Sequence, residues 1–282
     1  MFAVYACAEQ AQVTNTFVTS SGGNGIEFST STSSTLNNSR IKDYGLVLAG
    51  AAGIELDQSP NATVVHNEIS GGVQNGGINL DCHGDCEPTL LRKNHLFNLG
   101  THNSFGLSDG GAIHVDNSTG FVELADNKVH DIRAQSENGG GLYLDDHTTN
   151  VYVHGNLWYN LRGGVVQWNQ QAAGGIVNIT NNVWVKSNDG CYAEALSSEP
   201  YLNMNRNGAV NFSKNIFYYD SKFDGALYSP PGARGGGNTY GKEFIADKNL
   251  YFDAAATVPG TFAQPTPFPG GLSWDAWKKG GR

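Results

Sequence analysis

Two stretches decide how this chain folds: Val122-Glu-Leu-Ala-Asp-Asn127-Lys-Val129 and Val151-Tyr-Val-His-Gly-Asn156-Leu-Trp158. Each sets apolar residues at alternate positions, then an asparagine, then an apolar residue two places on. The pattern extends both ways. Upstream it reads Thr63-Val-Val-His-Asn67-Glu-Ile69 and Leu90-Leu-Arg-Lys-Asn94-His-Leu96. Downstream it reads Ile176-Val-Asn-Ile-Thr-Asn-Asn182-Val-Trp184, Val210-Asn-Phe-Ser-Lys-Asn215-Ile-Phe217 and Phe244-Ile-Ala-Asp-Lys-Asn249-Leu-Tyr251. Successive asparagines lie 26 to 34 residues apart. A weaker copy surrounds Asn37 and Asn38. Repeats of this length signal a stacked architecture.

A second segment type alternates with the first. It reads Gly25-Ile-Glu-Phe-Ser29, Gly53-Ile-Glu-Leu-Asp57, Gly77-Ile-Asn-Leu-Asp81, Ala112-Ile-His-Val-Asp116 and Gly141-Leu-Tyr-Leu-Asp145, with a looser copy at Gly164-Val-Val-Gln-Trp-Asn169. Each is a period-2 strand with one apolar face. Together the segments predict an all-β chain wound as a right-handed parallel β-helix, a solenoid of about seven to eight irregular rungs. The coil is expected over 1–258, with a Pro/Gly-rich tail at 259–282. Residues 12–18 read as one strand, and 272–279 as one short helical turn. In such a coil equivalent residues stack about 4.8 Å apart. The asparagine falls where the chain bends between sheets. There it is expected to take a left-handed backbone and to hydrogen-bond its copies above and below. An antiparallel sandwich leaves the recurring asparagine unexplained, and a propeller blade needs about 40–45 residues.

Composition agrees. Glycine contributes 37 of 282 residues, and only 15% are charged, against about 25% in an ordinary domain. No apolar run is long enough to span a membrane. The net charge of −9 argues against nucleic acid, which requires a basic surface. Five sequons, at Asn37, Asn61, Asn117, Asn178 and Asn211, fit a secreted, extracellular glycoprotein. The opening residues are too short and lack the basic start of a signal peptide. Cys82 and Cys86 suit a small loop disulfide rather than a zinc site, which needs a second ligand pair. Cys7 and Cys191 are left free or paired with each other. Arg133, Arg162 and Arg234 stand in polar turns, as solvated or subsite residues.

If the apolar residues of the second segment type point inward, two outward columns result. One is Glu27, Glu55, Asn79, His114, Tyr143; the other is Ser29, Asp57, Asp81, Asp116, Asp145. Four stacked aspartates repel one another, so a raised pKa or a bound cation is expected. The bland alternative is that they cap strand ends. Asp109, His114 and Asp116 from one rung and Tyr143, Asp145, Asp146 and His147 from the next make the densest cluster. Gln167 and Trp168 on the following rung offer a hydrogen bond and a sugar-stacking ring, or else core and turn.

The Asp109-Gly-Gly-Ala-Ile113 and Leu142-Tyr-Leu-Asp-Asp146 motifs resemble the pectin-lyase-like right-handed β-helix superfamily, most of all proteins around glycoside hydrolase family 141. The resemblance covers nearly the whole chain. It implies a carbohydrate-active fold, and it assigns acidic roles to Asp109 and to Asp145 or Asp146. Trp274-Asp-Ala-Trp277 looks like a segment that continues further in such proteins. The expected activity is hydrolysis of a polysaccharide or oligosaccharide by two carboxylates, drawn from Asp109, Asp116, Asp145 and Asp146. His114, Tyr143, His147, Gln167 and Trp168 are the expected substrate contacts. No cofactor is expected, and the partner is a glycan met by a monomer. A lyase of this superfamily would hold Ca²⁺ through carboxylate oxygens and need a Lys or Arg base, which neither column contains. A non-catalytic carbohydrate-binding or adhesin-like solenoid is the remaining alternative.

Overall fold

The fold is seen in a computed structural model that describes residues 3–73, 76–84, 88–100, 110–133, 139–162, 166–168, 175–186, 209–219, 244–254 and 273–279. The chain coils through three parallel sheets. The first sheet has seven strands among the described residues, from Val4–Ala6 through Ile26–Ser29, Ile54–Asp57, Ile78–Gly84, Gly110–Ser118 and Gly139–Leu144 to Val166–Trp168. The second and third sheets have nine each, running from Gln12–Thr14 to Phe244–Asp247 and from Phe17–Thr19 to Leu250–Asp253. The described coil therefore has one turn more than the asparagine pattern marks. The extra turn comes from residues 3–19, where the expected single strand is two, Gln12–Thr14 and Phe17–Thr19, broken at Asn15 and Thr16 and preceded by Val4–Ala6. A short helix, Trp274–Lys279, lies in the tail.

Alternation sets the register. Ile26, Ile54, Ile78, Ile113 and Leu142 pair rung to rung and are buried, as are Phe28, Leu56, Leu80, Val115 and Leu144. A one-residue slip would turn these apolar side chains to water. In the third sheet one inward column changes character along the axis. Val18, Ile41, Ile69, Leu96 and Val129 give way to Trp158, Trp184, Phe217 and Tyr251. The rings stack, with Trp158 and Trp184 centroids 5.1 Å apart.

The glycines that open the first-sheet strands have a packing reason. A Cβ on Gly53 would lie 2.8 Å from the Gly77 carbonyl oxygen and 2.5 Å from Ile69 Cγ2. Only a bare backbone turns that corner between stacked rungs.

The asparagines do stack, but their backbone role differs from the expectation. The left-handed residue is the one before each asparagine: His66, Lys93, Asp126, Gly155, Asn181, Lys214 and Lys248 all have φ between 54° and 68°. That turn swings the asparagine side chain inward, and Asn67, Asn94, Asn127, Asn156, Asn182 and Asn215 are buried. Each side chain then bonds in both axial directions. Asn127 Oδ1 accepts from the Asn94 backbone N–H at 2.9 Å and from Asn94 Nδ2 at 3.1 Å. Asn127 Nδ2 donates to the Leu91 carbonyl and to Asn156 Oδ1, both at 2.9 Å. The arrangement repeats from Asn67 to Asn249. Ser39 and Thr16 continue it downward, because Ser39 N–H donates to Asn67 Oδ1 and Thr16 N–H to Ser39 Oγ.

Replacing Asn127 with alanine strands a buried amide, a backbone N–H and a carbonyl. The expected cost is about 3 kcal/mol, read as a fall in melting temperature of roughly 5–10 °C. Lys128→Ala, on the solvent side of the same turn, should shift it far less.

Candidate functional site

The first sheet carries the two polar columns in the expected register. Glu27, Glu55, Asn79, His114 and Tyr143 pair rung to rung, as do Ser29, Asp57, Asp81 and Asp116. Asp145 follows the end of its strand, where its N–H donates to the Val115 carbonyl at 2.8 Å and keeps the stack in line.

Most of the carboxylates have local partners. Asn24 Nδ2 donates to Glu27 at 2.7 Å, and Asn79 Nδ2 to Glu55 at 2.6 Å. Ser29 Oγ donates to Asp57 Oδ2 at 2.9 Å. A bulge between Asp81 and Gly84 re-aims the strand and places His83 Nε2 3.3 Å from Asp81 Oδ2. His114 Nε2 lies 3.5 Å from Asp145 Oδ2, with only 17% and 13% of those side chains exposed. Asp145 Oδ1 accepts the Asp146 N–H at 2.9 Å. By contrast, Asp116 Oδ1 is buried with no hydrogen-bond partner among the described residues, as are Asp81 Oδ1 and Asp146 Oδ1.

The charge state follows from this crowding. Burial pushes Asp116 up to about 6; His114 opposes the shift, and Asp81, Asp145 and Asp146 reinforce it. Burial pushes Glu55 up to about 8; the Asn79 bond opposes it, and Glu27, Asp57 and Asp81 add repulsion. Glu55 and Asp116 thus hold protons at pH values where free carboxyls have lost them.

The structure separates the expected substrate contacts. His114 is half-buried and Tyr143 is fully buried, its ring stacked on His114 at 4.9 Å and 9°. Tyr143 therefore holds the imidazole from below instead of facing solvent. His147 is exposed at the turn after Asp145, with φ of 59°. Gln167 stands in register with Tyr143, and Trp168 with Leu144. Asp109 lies outside the described residues, as do Arg234, Cys86 and Cys191. Cys82 is disulfide-bonded and Cys7 is free, so Cys7 does not pair with Cys191. Arg133 is exposed at the end of its strand, and Arg162 pairs with it in register. Among the described residues no three His, Cys, Asp or Glu side chains converge to hold a metal ion.

One cluster was not anticipated. His95, His130 and Asp131 meet on the outer face of the third sheet. Their sequence signal is weak: they stand one, three and four places after ladder asparagines, where the pattern was read only for its apolar residues.

Residues 3–158 match the family profile described as the right handed beta helix region. The chain belongs to this right-handed β-helix family. A solved structure agrees on the fold. An alginate lyase from Paenibacillus sp. str. FPU-7 superposes with a TM-score of 0.53 at 12% identity, over 88% of this chain and 86% of that one. PfbA, a surface adhesin of Streptococcus pneumoniae, gives 0.49 at 12% identity over 86% and 71%. The tailspike gp61 of Pseudomonas phage phi297 gives 0.46 at 15% identity over 90% and 45%. No curated protein sequence matches the chain significantly.

The raised Glu55 carboxyl makes stability depend on pH. The folded state binds a proton that the unfolded chain releases near pH 4.5, so stability falls as pH rises from there through about 8. Melting temperatures followed from pH 5 to 9 should drop less steeply in Glu55→Gln than in the parent, because glutamine keeps an oxygen for Asn79 and carries no charge.

Proposed function

We propose that this β-helix protein is a polysaccharide-active enzyme, a glycoside hydrolase of the family 141 type, working on the first-sheet face with Asp116 and Asp145. Asp116 carries this reading. Burial and like charge lift its carboxyl to about 6, and one oxygen is buried without a partner. A general acid needs such a proton, held near working pH. Asp145 stands one rung on, oriented by His114 and by the Asp146 N–H.

The chemistry runs in two steps. Asp116 protonates the glycosidic oxygen while Asp145 attacks the anomeric carbon, forming a glycosyl ester. Asp116, now a carboxylate, takes a proton from water, which displaces Asp145. Adjacent rungs are spaced about 4.8 Å, near the 5–5.5 Å typical of retaining enzymes. Asp146 and Asp109 are the alternative partners, Asp109 by resemblance alone. Gln167, Trp168 and His147 are the proposed substrate contacts around this pair. A polysaccharide suits a scaffold that the Paenibacillus alginate lyase also uses. We read the protein as extracellular and monomeric; of its five sequons, Asn61 is the exposed one. No described helix is long and apolar enough to cross a membrane.

Asp116→Asn and Asp145→Asn should each lower reducing-end release from a responsive polysaccharide by roughly 10²–10⁴-fold. Proton NMR of early products should show the anomeric configuration retained. Products with an ultraviolet-absorbing double bond would replace hydrolysis with a lyase reaction. Binding without cleavage would leave a carbohydrate-binding solenoid.

A further inference from the structure

Three titratable side chains form a line on the outer face of the third sheet, away from the aspartate columns. Asp131 Oδ2 lies 2.7 Å from His130 Nδ1. His130 Nε2 lies 2.8 Å from His95 Nε2. Asn160 Nδ2 donates to the other Asp131 oxygen. The two imidazole centroids are 5.0 Å apart, which with so short a nitrogen contact means that the nitrogens meet head-on. A metal ion does not fit between them, since it needs about 2.0 Å on each side. The contact is a shared hydrogen.

Its direction follows from the donors. Burial works against an ionised Asp131, but the bonds from His130 and Asn160 hold its carboxyl below the usual range. As a carboxylate it only accepts, so His130 carries its hydrogen on Nδ1. With Nδ1 committed to Asp131, we assign His130 Nε2 as the acceptor and His95 Nε2 as the donor of the shared hydrogen. His95 Nδ1 is left as a lone pair that no described residue engages. His130 is buried between Phe97 and Tyr159, its ring stacked 5.5 Å and 4.4 Å from theirs, so the line is rigid.

The free end opens outward. His95 lines a cleft of about 640 Å³ with Arg40, His66, Glu68 and Lys93. The cleft runs across four successive rungs, about 14 Å along the axis. Burial, His130 and Lys128 hold His95 below the ordinary imidazole range, while Glu68 works the other way. His95 is therefore neutral at pH 7. Glu68 is taken by Arg40 at 2.8 Å. Lys93 is exposed and makes no ion pair among the described residues. A fixed neutral acceptor beside a free cation matches a sugar hydroxyl beside a carboxylate. The same ligand would be repelled by the acidic columns of the first sheet.

We propose that this cleft is a second ligand site, for a carboxylate-bearing saccharide, in which Lys93 pairs the carboxylate and His95 accepts a sugar hydroxyl hydrogen at Nδ1. His130 and Asp131 are its positioning residues. The site stands independently of the hydrolase reading.

Calorimetric titration at pH 7 with oligogalacturonate and oligomannuronate, and with their carboxyl-reduced neutral counterparts, tests it. At least one acidic oligomer should bind while its reduced form does not. Lys93→Ala and His95→Ala should each weaken binding about tenfold or more, and Asp116→Asn should leave it unchanged. Long-range nitrogen NMR of the unmutated protein should show His95 in the Nε2–H form, with its Nδ1 resonance moving on ligand addition. Asp131→Ala should release that tautomer and weaken binding. Absence of binding by both acids, equal binding of the reduced oligomers, an unmoved Nδ1 resonance, or loss of binding in Asp116→Asn instead would each overturn the proposal.

Discussion

The asparagine ladder is the constraint on which the rest depends. Parallel strands stacked rung on rung leave a sharp turn between the second and third sheets in every coil. The backbone groups at that turn face inward, where water cannot satisfy them. Each asparagine supplies two donors and one shared acceptor there, and each is bonded to the rung on either side. An unsatisfied buried amide costs about 1–3 kcal/mol, so a single gap in the line is felt by two rungs. The ladder also fixes axial register, because its bonds close only when the asparagines superpose. Everything outside the turn, including both polar columns and the His95 cleft, inherits that register.

Register turns an ordinary composition into unusual electrostatics. Sparse acids in the chain become a column once the rungs stack, and stacking rather than sequence proximity raises Glu55 and Asp116. The fold holds these groups because each shares its cost with a neighbour: Asn79 holds Glu55, Ser29 holds Asp57, and His83 stands by Asp81. Asp116 lacks such help at one oxygen, as do Asp81 and Asp146. Burial with like charge on three sides sets Asp116 apart, for its carboxyl rises to about 6. Around the coil the opposite logic operates, where Asp131, His130 and His95 pass a hydrogen bond from a half-buried carboxylate to an open cleft.

Legibility in the sequence followed periodicity. The alternation of Ile26-Glu-Phe-Ser29 and its copies gave the first sheet and its register to the residue. The asparagine spacing gave the other two sheets. The first turn escaped notice because Thr16 replaces asparagine there, as Ser39 does one rung on, a substitution that keeps a ladder hydrogen bond and loses the letter. The left-handed residue was misplaced by one, because asparagine tolerates that conformation and its neighbours His66 and Lys93 do not advertise it. Tyr143 read as an outward phenol, and its position in the column is outward, yet the structure buries its ring against His114.

What the sequence determined alone is the coil, its three sheets and the columns on the first of them, since a period of two within strands and a recurring asparagine between them admit one stacking. What only the tertiary structure decided is the state of the side chains on those columns. Burial, the bulge that carries His83 to Asp81, and the meeting of His95 with His130 across adjacent rungs depend on distances of a few ångströms between residues about thirty apart. Pattern records which residues share a face. Hydrogen bonds and desolvation, which set protonation and pairing, depend on three-dimensional separation and are absent from it.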